Sequence, residues 1–208
     1  MDKLQINDWT KDTSQYFYCL LEINYKIIQK IKTGAHMNEI LNIVNTYPQL
    51  IYFPFSKEDT PYICIQSLNE IKTFEDINVN DNILLVSTLY ARGDLVNSLL
   101  KIISDNKLHM FNIKTIIVNS FNHNIITNNK RIYDIFIKYA YIVDILKEYN
   151  NTLLINAVKY NSLHCFTSMI KNKFMNSSEF DTIIDEINNH DMYHMREFLE
   201  NHYNVELI

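Results

Sequence analysis

TLLINAVKYNSLHCFTSMIK, residues 152–171, reads as two short amphipathic helices joined by a polar turn at Asn161 and Ser162. Small and apolar residues recur along it at steps of three and four, so each helix carries one face that has to be buried. A single helix pair cannot bury that face by itself, and such pairs are normally stacked. The pattern therefore predicts one unit of a helical array. The residues on this spacing are Thr152, Leu154, Ala157, Leu163, Phe166, Met169 and Ile170.

Three positions in this stretch have specific expected roles. The hydroxyl of Thr152 can accept a hydrogen bond from a backbone N–H at the start of the first helix. Ala157 is small enough for two helix backbones to approach closely, so we expect it to be buried between neighbouring helices. Asn161 is, after glycine, the residue best suited to a left-handed backbone, which predicts the turn at this position.

The layout resembles the ankyrin repeat. In that family a threonine starts the first helix, a glycine nine positions later opens the turn, and a pair of leucines ends the second helix. Thr152 and Asn161 hold the matching positions here, while Leu153 and Ile155 stand where the family has proline and histidine. The resemblance implies a solenoid of stacked helix pairs that presents a surface for binding another protein.

Similar units can be traced through most of the chain. Residues 60–77, TPYICIQSLNEIKTFEDI, begin with a threonine and a proline that suit a helix start, and Asn69 lies nine positions after the threonine. Residues 36–53 contain a predicted second helix over 39–45. Further units cover residues 81–101 with a turn at Gly93, residues 115–136 with a stretched turn over 125–130, and residues 180–200. The predicted turn markers are Asn69, Gly93, Lys130, Asn161 and Asn189.

These units predict an all-α fold of about five irregular ankyrin-like repeats. We expect one domain over residues 1–208, with an N-terminal arm and capping helix in residues 1–33 and the repeats in residues 34–202. The irregular spacing leaves a compact all-α bundle as the alternative fold. Such a bundle, of the viral apoptosis-regulator type, would present a groove for an amphipathic partner helix.

Composition favours a folded protein and disfavours several functional classes. Hydrophobic residues make up 47% of the chain, and only two glycines are present. Because phosphate-binding loops need glycine, a nucleotide-binding α/β enzyme is disfavoured. The net charge is −5 and the cations are scattered, which predicts no nucleic-acid binding. The small basic face of Lys26, Lys30 and Lys32 is interpreted as a solvated helix surface.

No segment has the pattern of an export signal or a membrane anchor. Residues 1–10, MDKLQINDWT, are polar and acidic, and no apolar run approaches the roughly 20 residues of a membrane span. We therefore expect an intracellular, cytoplasmic protein without membrane contact.

The chain is rich in Asn, Ile, Lys and Tyr, a bias typical of A/T-rich genomes. Together with the degenerate repeats, this bias makes the sequence similar to the short ankyrin proteins of poxviruses and other A/T-rich large DNA viruses. The resemblance implies a protein that binds a host protein in the host cytoplasm and blocks or relocates it. Those proteins often end in an F-box-like segment, and residues 199–208, LENHYNVELI, do not match one.

Candidate catalytic residues are few. Cys19, Cys64 and Cys165 lie far apart, without the spacing of a zinc or redox site, and are interpreted as buried thiols. The sequence contains no glycine-rich phosphate loop and no nucleophile elbow.

The motif with metal-ligand spacing is HDMYH, from His190 to His194. It is similar to the HExxH motif of zinc proteases with Asp191 in place of glutamate, because histidines four apart on a helix can hold one metal. His190 and Asp191 are also similar to the paired ligands of HD-type phosphohydrolases, with His164 upstream. A small helical metal-dependent hydrolase is therefore the alternative function. We favour Asp191 as a cap of the last helix and expect no catalytic residue, cofactor or metal.

The favoured function is protein binding, without a small-molecule substrate. If the fold is ankyrin-like, the binding surface consists of the hairpin tips and the inner side of each first helix, and the predicted tips are residues 53–59, 78–82, 111–114 and 150–151. The first tip combines aromatic and charged side chains, the composition of an interaction hot spot. The predicted partner-binding residues are Phe53, Phe55, Lys57, Glu58 and Asp59.

Overall fold

The computed structural model describes residues 11–52, 82–106, 111–175 and 180–203, and every regular element in these ranges is helical. The prediction of an all-α fold is confirmed. The α-helices are α1 (Lys11–Lys32), α2 (Met37–Thr46), α3 (Ile83–Leu89), α4 (Gly93–Asn106), α5 (Phe111–Thr127), α6 (Lys130–Phe136), α7 (Ala140–Lys147), α8 (Asn150–Lys159), α9 (Leu163–Lys171), α10 (Phe180–Asn189) and α11 (Tyr193–Tyr203), and a 3-10 helix spans Pro48–Tyr52.

Most of these helices form sequential pairs that contact each other. The pairs are α1 with α2, α3 with α4, α5 with α6, α8 with α9, and α10 with α11. The first helices of successive pairs also contact one another, in the order α1, α3, α5, α8 and α10. The second helices do the same, in the order α2, α4, α6, α9 and α11. Each pair thus packs against the pair before it through both of its helices.

Helix α7 was not predicted from the sequence. It follows α6 directly and contacts α4 and α5. Its apolar face is formed by Ile142, Ile145 and Leu146, which are all buried. Because it has only eight residues and lies outside the helix pairs, its periodicity was hidden within the longer run of Ile and Tyr around it.

One continuous hydrophobic core runs through the helix pairs. The core residues follow the helical spacing of apolar residues in the sequence. In α10, for example, Ile183 and Ile187 lie one turn apart and both are buried. The largest buried side chains lie between α5 and α6, where the ring of Phe121 is 5.4 Å from that of Phe136 and 5.5 Å from that of Tyr133. Within the described ranges, no helix combines the length and the apolar character needed to cross a bilayer.

The deciding stretch, residues 152–171, forms the predicted helix pair with one difference in its start. Helix α8 begins at Asn150 and its N-cap is Tyr149. The prediction that Thr152 caps this helix is therefore wrong, and Thr152 lies exposed in the first turn. Leu163 is half-buried. Ala157 is fully buried, as expected for close helix packing, and so are the predicted face residues Leu154, Phe166, Met169 and Ile170.

Other predicted units differ in their boundaries. The predicted second helix over residues 39–45 is confirmed as α2, and the units at 81–101 and 180–200 each form a helix pair. The stretched turn predicted over 125–130 is wrong, because α5 continues to Thr127 and α6 starts at Lys130. The unit predicted at 60–77 lies outside the described residues. The described pairs that precede and follow it in the sequence contact each other, α1 with α3 and α2 with α4.

Candidate interaction surface

The five helix pairs of the described chain are closed by one kind of turn. Two residues beyond the end of the first helix, or one residue in the case of α5, the backbone takes a positive φ between 48° and 77°. The N–H of that residue donates to the carbonyl three residues back, and the next N–H donates to the carbonyl five residues back, which is the Schellman motif. These bonds satisfy the last carbonyls of the helix and reverse the chain. The left-handed residues are Gly34, Ala91, Asn128, Asn161 and Asp191.

The turn geometry confirms one predicted marker and corrects three. Asn161 is left-handed, with φ of 50°. Gly93 is not the turn residue, because it begins α4 and Ala91 is left-handed instead. The predicted markers Lys130 and Asn189 each lie two residues from the left-handed residue of their turn, which is Asn128 for the first and Asp191 for the second. Asp191 lies in such a turn with φ of 52°, two residues before α11, so its predicted role as a helix cap is also wrong.

Contacts between successive turns place them side by side along one edge of the molecule. Arg92 Nη2 donates to the carbonyl oxygen of Ala35 at 3.0 Å, joining the first two turns. The buried hydroxyl of Ser162 donates to the carbonyl oxygen of Ile125, which joins the third turn to the fourth. At the last turn, Lys159 Nζ lies 3.2 Å from a carboxylate oxygen of Glu186.

Exposed apolar side chains concentrate on this edge. Five of the seven large hydrophobic residues that are exposed in the described chain lie within two positions of a left-handed turn residue. We call them the turn edge, and they are Leu89, Tyr90, Ile126, Tyr160 and Tyr193, with exposed fractions from 39% to 69%. The other two are Tyr25 and Tyr149. Single exposed apolar residues are common on proteins, whereas several of them together on one edge form a candidate interaction surface.

The predicted partner-binding residues cannot be compared with this edge. Phe53, Phe55, Lys57, Glu58 and Asp59 all lie outside the described residues. Two other predicted tips are wrong, because residues 111–114 and 150–151 form the first turns of α5 and α8. From the tip at 78–82 the structure describes Asn82, which is buried at the N-cap of α3 and donates to the carbonyl oxygen of Ile51 at 3.1 Å.

The C-terminal histidines do not share one helix. His190 follows the end of α10, and His194 lies in α11 beyond the turn at Asp191. The four-residue spacing therefore does not give the shared helical face that the HExxH motif requires. Each imidazole lies near a carboxylate of its own helix pair, His190 at 3.6 Å from Glu186 and His194 at 3.9 Å from Glu197. No group of three potential metal ligands occurs in the described residues.

A small cluster of polar groups is buried between α5, α6 and α9. Asn124 Nδ2 lies 3.9 Å from Cys165 Sγ, and the rings of Tyr133 and His164 meet edge to face with centroids 5.6 Å apart. Burial raises the pKa of Cys165 to about 12, so the thiol stays protonated at neutral pH. The expectation of a buried, inert thiol holds at Cys165, while the side chains of Cys19 and Cys64 lie outside the described residues.

The small basic face on α1 is an ordinary solvated surface. Lys26 Nζ lies 2.6 Å from Glu22, one helical turn away, and Lys30 pairs with Glu39 of α2. Both pairs are largely exposed, as expected for surface ion pairs.

Neither a protein-family model nor a curated protein matches this sequence, and no solved structure matches its fold.

The turn edge was not predicted from the sequence, because the turn at Ala91 was assigned to Gly93. A signal was nevertheless present, since Tyr90 and Tyr160 each directly precede a left-handed residue and follow a helix of similar pattern. Aligning Tyr90 with Tyr160 places the missed turn at Ala91, opposite Asn161.

Proposed function

We propose that this protein is a non-enzymatic interaction module, a divergent ankyrin-like array that binds a protein partner through its turn edge. The observation that carries the proposal is the row of exposed apolar side chains held on one edge by turns of the same geometry. Tyrosine supplies a large contact area with few rotatable bonds, which is why it is frequent among binding hot spots.

The contacts between α5 and α8 support the ankyrin-like part of the proposal. Asn156 Nδ2 donates to Asn122 Oδ1 at 2.7 Å, and Lys114 Nζ lies 2.7 Å from Glu148 just before α8 begins. Both contacts join residues 34 positions apart, close to the ankyrin period of about 33 residues. The order of helix contacts in two rows agrees with stacked repeats as well.

The turn edge is suited to binding because it is already ordered in the free protein. The hydrogen bonds of each Schellman motif fix the backbone beneath Tyr90 and Tyr160. Binding then has to immobilise side chains alone, and a preorganised surface loses less entropy than a flexible loop.

We further propose that the partner is a protein of a host cell, which this protein blocks or relocates. This part rests on the resemblance to the short ankyrin proteins of large DNA viruses and on the A/T-rich residue bias. The proposed location is the host cytoplasm.

Affinity capture from a lysate of eukaryotic cells, followed by measurement of the dissociation constant for each captured protein, tests the proposal. A double variant, Tyr90→Ala with Tyr160→Ala, should weaken binding strongly. Loss of one anchor typically costs about 2 kcal/mol, which is roughly thirtyfold in affinity.

The matched control is Tyr25→Ala with Tyr149→Ala, which removes two exposed tyrosines that lie off the turn edge. Circular dichroism and thermal melts of both variants should match those of the parent. Equal binding by the parent and by the folded turn-edge variant would place the interaction elsewhere.

A further inference from the structure

A groove lies between helices α4 and α6, close in sequence to the turns at Ala91 and Asn128. Its lining residues are Asn97, Lys130, Arg131, Asp134, Ile135 and Lys138. The polar contact of Lys138 Nζ with Asn97 Oδ1, at 3.4 Å, joins the two walls.

The charge of the groove is opposite to that of the whole chain. Three cations and one carboxylate line it, whereas the protein carries a net charge of −5. Lys130 Nζ lies 2.8 Å from Asp134, but their side chains are 68% and 48% exposed, and an exposed pair of this kind is easily exchanged for another partner. Among the described residues, no carboxylate pairs with Arg131 or Lys138.

Gly93 determines how the guanidinium of Arg131 is held. A Cβ atom at Gly93 would lie 3.3 Å from Arg131 Nε and 3.2 Å from Ile135 Cδ1, closer than side chains normally approach. The missing side chain thus lets Arg131 and Ile135 lie against the first turn of α4. Arg131 is itself exposed, so its guanidinium is both positioned by the fold and accessible to a ligand.

We propose that this groove binds an acidic segment of the protein partner. This proposal rests on the proposed function and adds the chemistry of the bound segment. Carboxylates of the segment would pair with Arg131 and Lys138, and its neighbouring apolar residues would contact Tyr90 and Ile126. A net of two positive charges suits a short acidic peptide, whereas a nucleic-acid site typically neutralises about six to ten phosphates. Arg131 supplies the fork of donors that carboxylates bind in bidentate fashion.

Fluorescence anisotropy with labelled hexaglutamate tests the proposal, with labelled hexalysine and labelled oligothymidylate as comparison probes. We expect the parent protein to bind hexaglutamate in preference to both. The affinity should fall as salt is raised from about 50 to about 300 mM, because charge attraction drives the contact.

The groove variant is Arg131→Glu with Lys138→Glu, and Arg131→Gln with Lys138→Gln serves as a milder form. We expect a loss of affinity of about tenfold or more for the charge reversal. The matched control is Lys26→Glu with Lys173→Glu, which makes the same change in net charge on other surfaces and should leave the affinity within about twofold of the parent.

Three results would overturn the proposal: no preference of the parent for hexaglutamate over hexalysine, equal losses in the groove variants and the control, or tighter binding of oligothymidylate than of hexaglutamate. A second turn-edge variant, Tyr160→Ala with Tyr193→Ala, changes exposed tyrosines that do not line the groove and separates this inference from the proposed function. It should bind hexaglutamate as the parent does, whether or not it has lost the captured partner.

Discussion

The turns at Ala91 and Asn161 have the same backbone geometry and different side chains. Both follow an exposed tyrosine. In each, the residue after the left-handed one donates its backbone N–H to the carbonyl oxygen of a small buried residue, which is Ser87 in one pair and Ala157 in the other. Asparagine adopts a left-handed backbone more readily than alanine does, so the turn at Ala91 contains a residue that disfavours its own conformation.

The difference teaches that packing fixes this turn geometry more strongly than local residue preference. At the Ala91 turn, Arg92 donates to the carbonyl oxygen of Ala35 and to the carboxylate of Asp94, and these bonds hold a conformation that Ala91 opposes. At the Asn161 turn, the buried hydroxyl of Ser162 makes the connection to the previous pair. Variants of the two turns can therefore be compared position by position.

The largest effect is expected where the helices approach most closely. Ala157→Tyr should lower the free energy of unfolding by about 1–3 kcal/mol, because the buried site has no room for a ring. Thr152→Tyr, on the exposed side of the same helix, should change it by less than about 0.5 kcal/mol. Urea unfolding of both variants checks this, and an unchanged Ala157→Tyr midpoint would contradict the packing at this junction.

The next largest loss of unfolding free energy is expected when a hydrogen bond between two turns is removed. Ser162→Ala removes the buried hydroxyl that binds the Ile125 carbonyl, and we expect a loss of about 1 kcal/mol. Arg92→Ala removes a partly exposed contact of the same kind and should cost about half as much. The two values come from matched urea titrations, and a larger loss at Arg92 would reverse the order proposed for the two turns.

Glycine substitutions test the backbone itself. Ala91→Gly should raise the free energy of unfolding by about 0.5–1 kcal/mol, since relief of left-handed strain exceeds the entropy that glycine adds to the unfolded chain. Asn161→Gly should have almost no effect, because asparagine already tolerates this conformation. Thermal melts that rise equally in both variants would show that the side chain at these positions does not matter.

The smallest expected effect depends on pH and belongs to the Ala91 turn alone. The hydrogen bond from Arg92 holds the pKa of Asp94 below its ordinary value. A carboxylate with a lowered folded-state pKa stabilises the protein above its unfolded pKa of about 3.9, and that contribution disappears as the pH falls through the folded pKa. Because Asp94 is partly exposed, Asp94→Asn should cost about 0.5 kcal/mol or less at pH 7.

Unfolding of Asp94→Asn and the parent across pH 3 to 7 provides the measurement. The two stabilities should converge toward the acid end of this range. A difference that stays constant with pH would mean that the substitution acts through packing and not through charge.

The sequence predicted the helices whose apolar residues recur over two or more turns, and it placed Asn161 and Ala157 correctly. It failed where position depends on contacts between distant residues. Ala91 adopts its left-handed backbone where its neighbour Arg92 donates to the carbonyl oxygen of Ala35, and Gly93 is needed for the approach of α6, so neither role could be read locally. The turn edge was missed for a related reason, since only the contacts between pairs bring its residues into one row.

The order of contacts between helix pairs also has a consequence for how the chain folds. The principal contacts of each described pair are with the pairs just before and after it, so a newly made pair needs only its predecessor to bury its apolar face. Structure can therefore grow along the described pairs in the direction of synthesis. We expect the pair α10 and α11, with principal contacts to α8 and α9, to be able to detach while the earlier pairs stay folded.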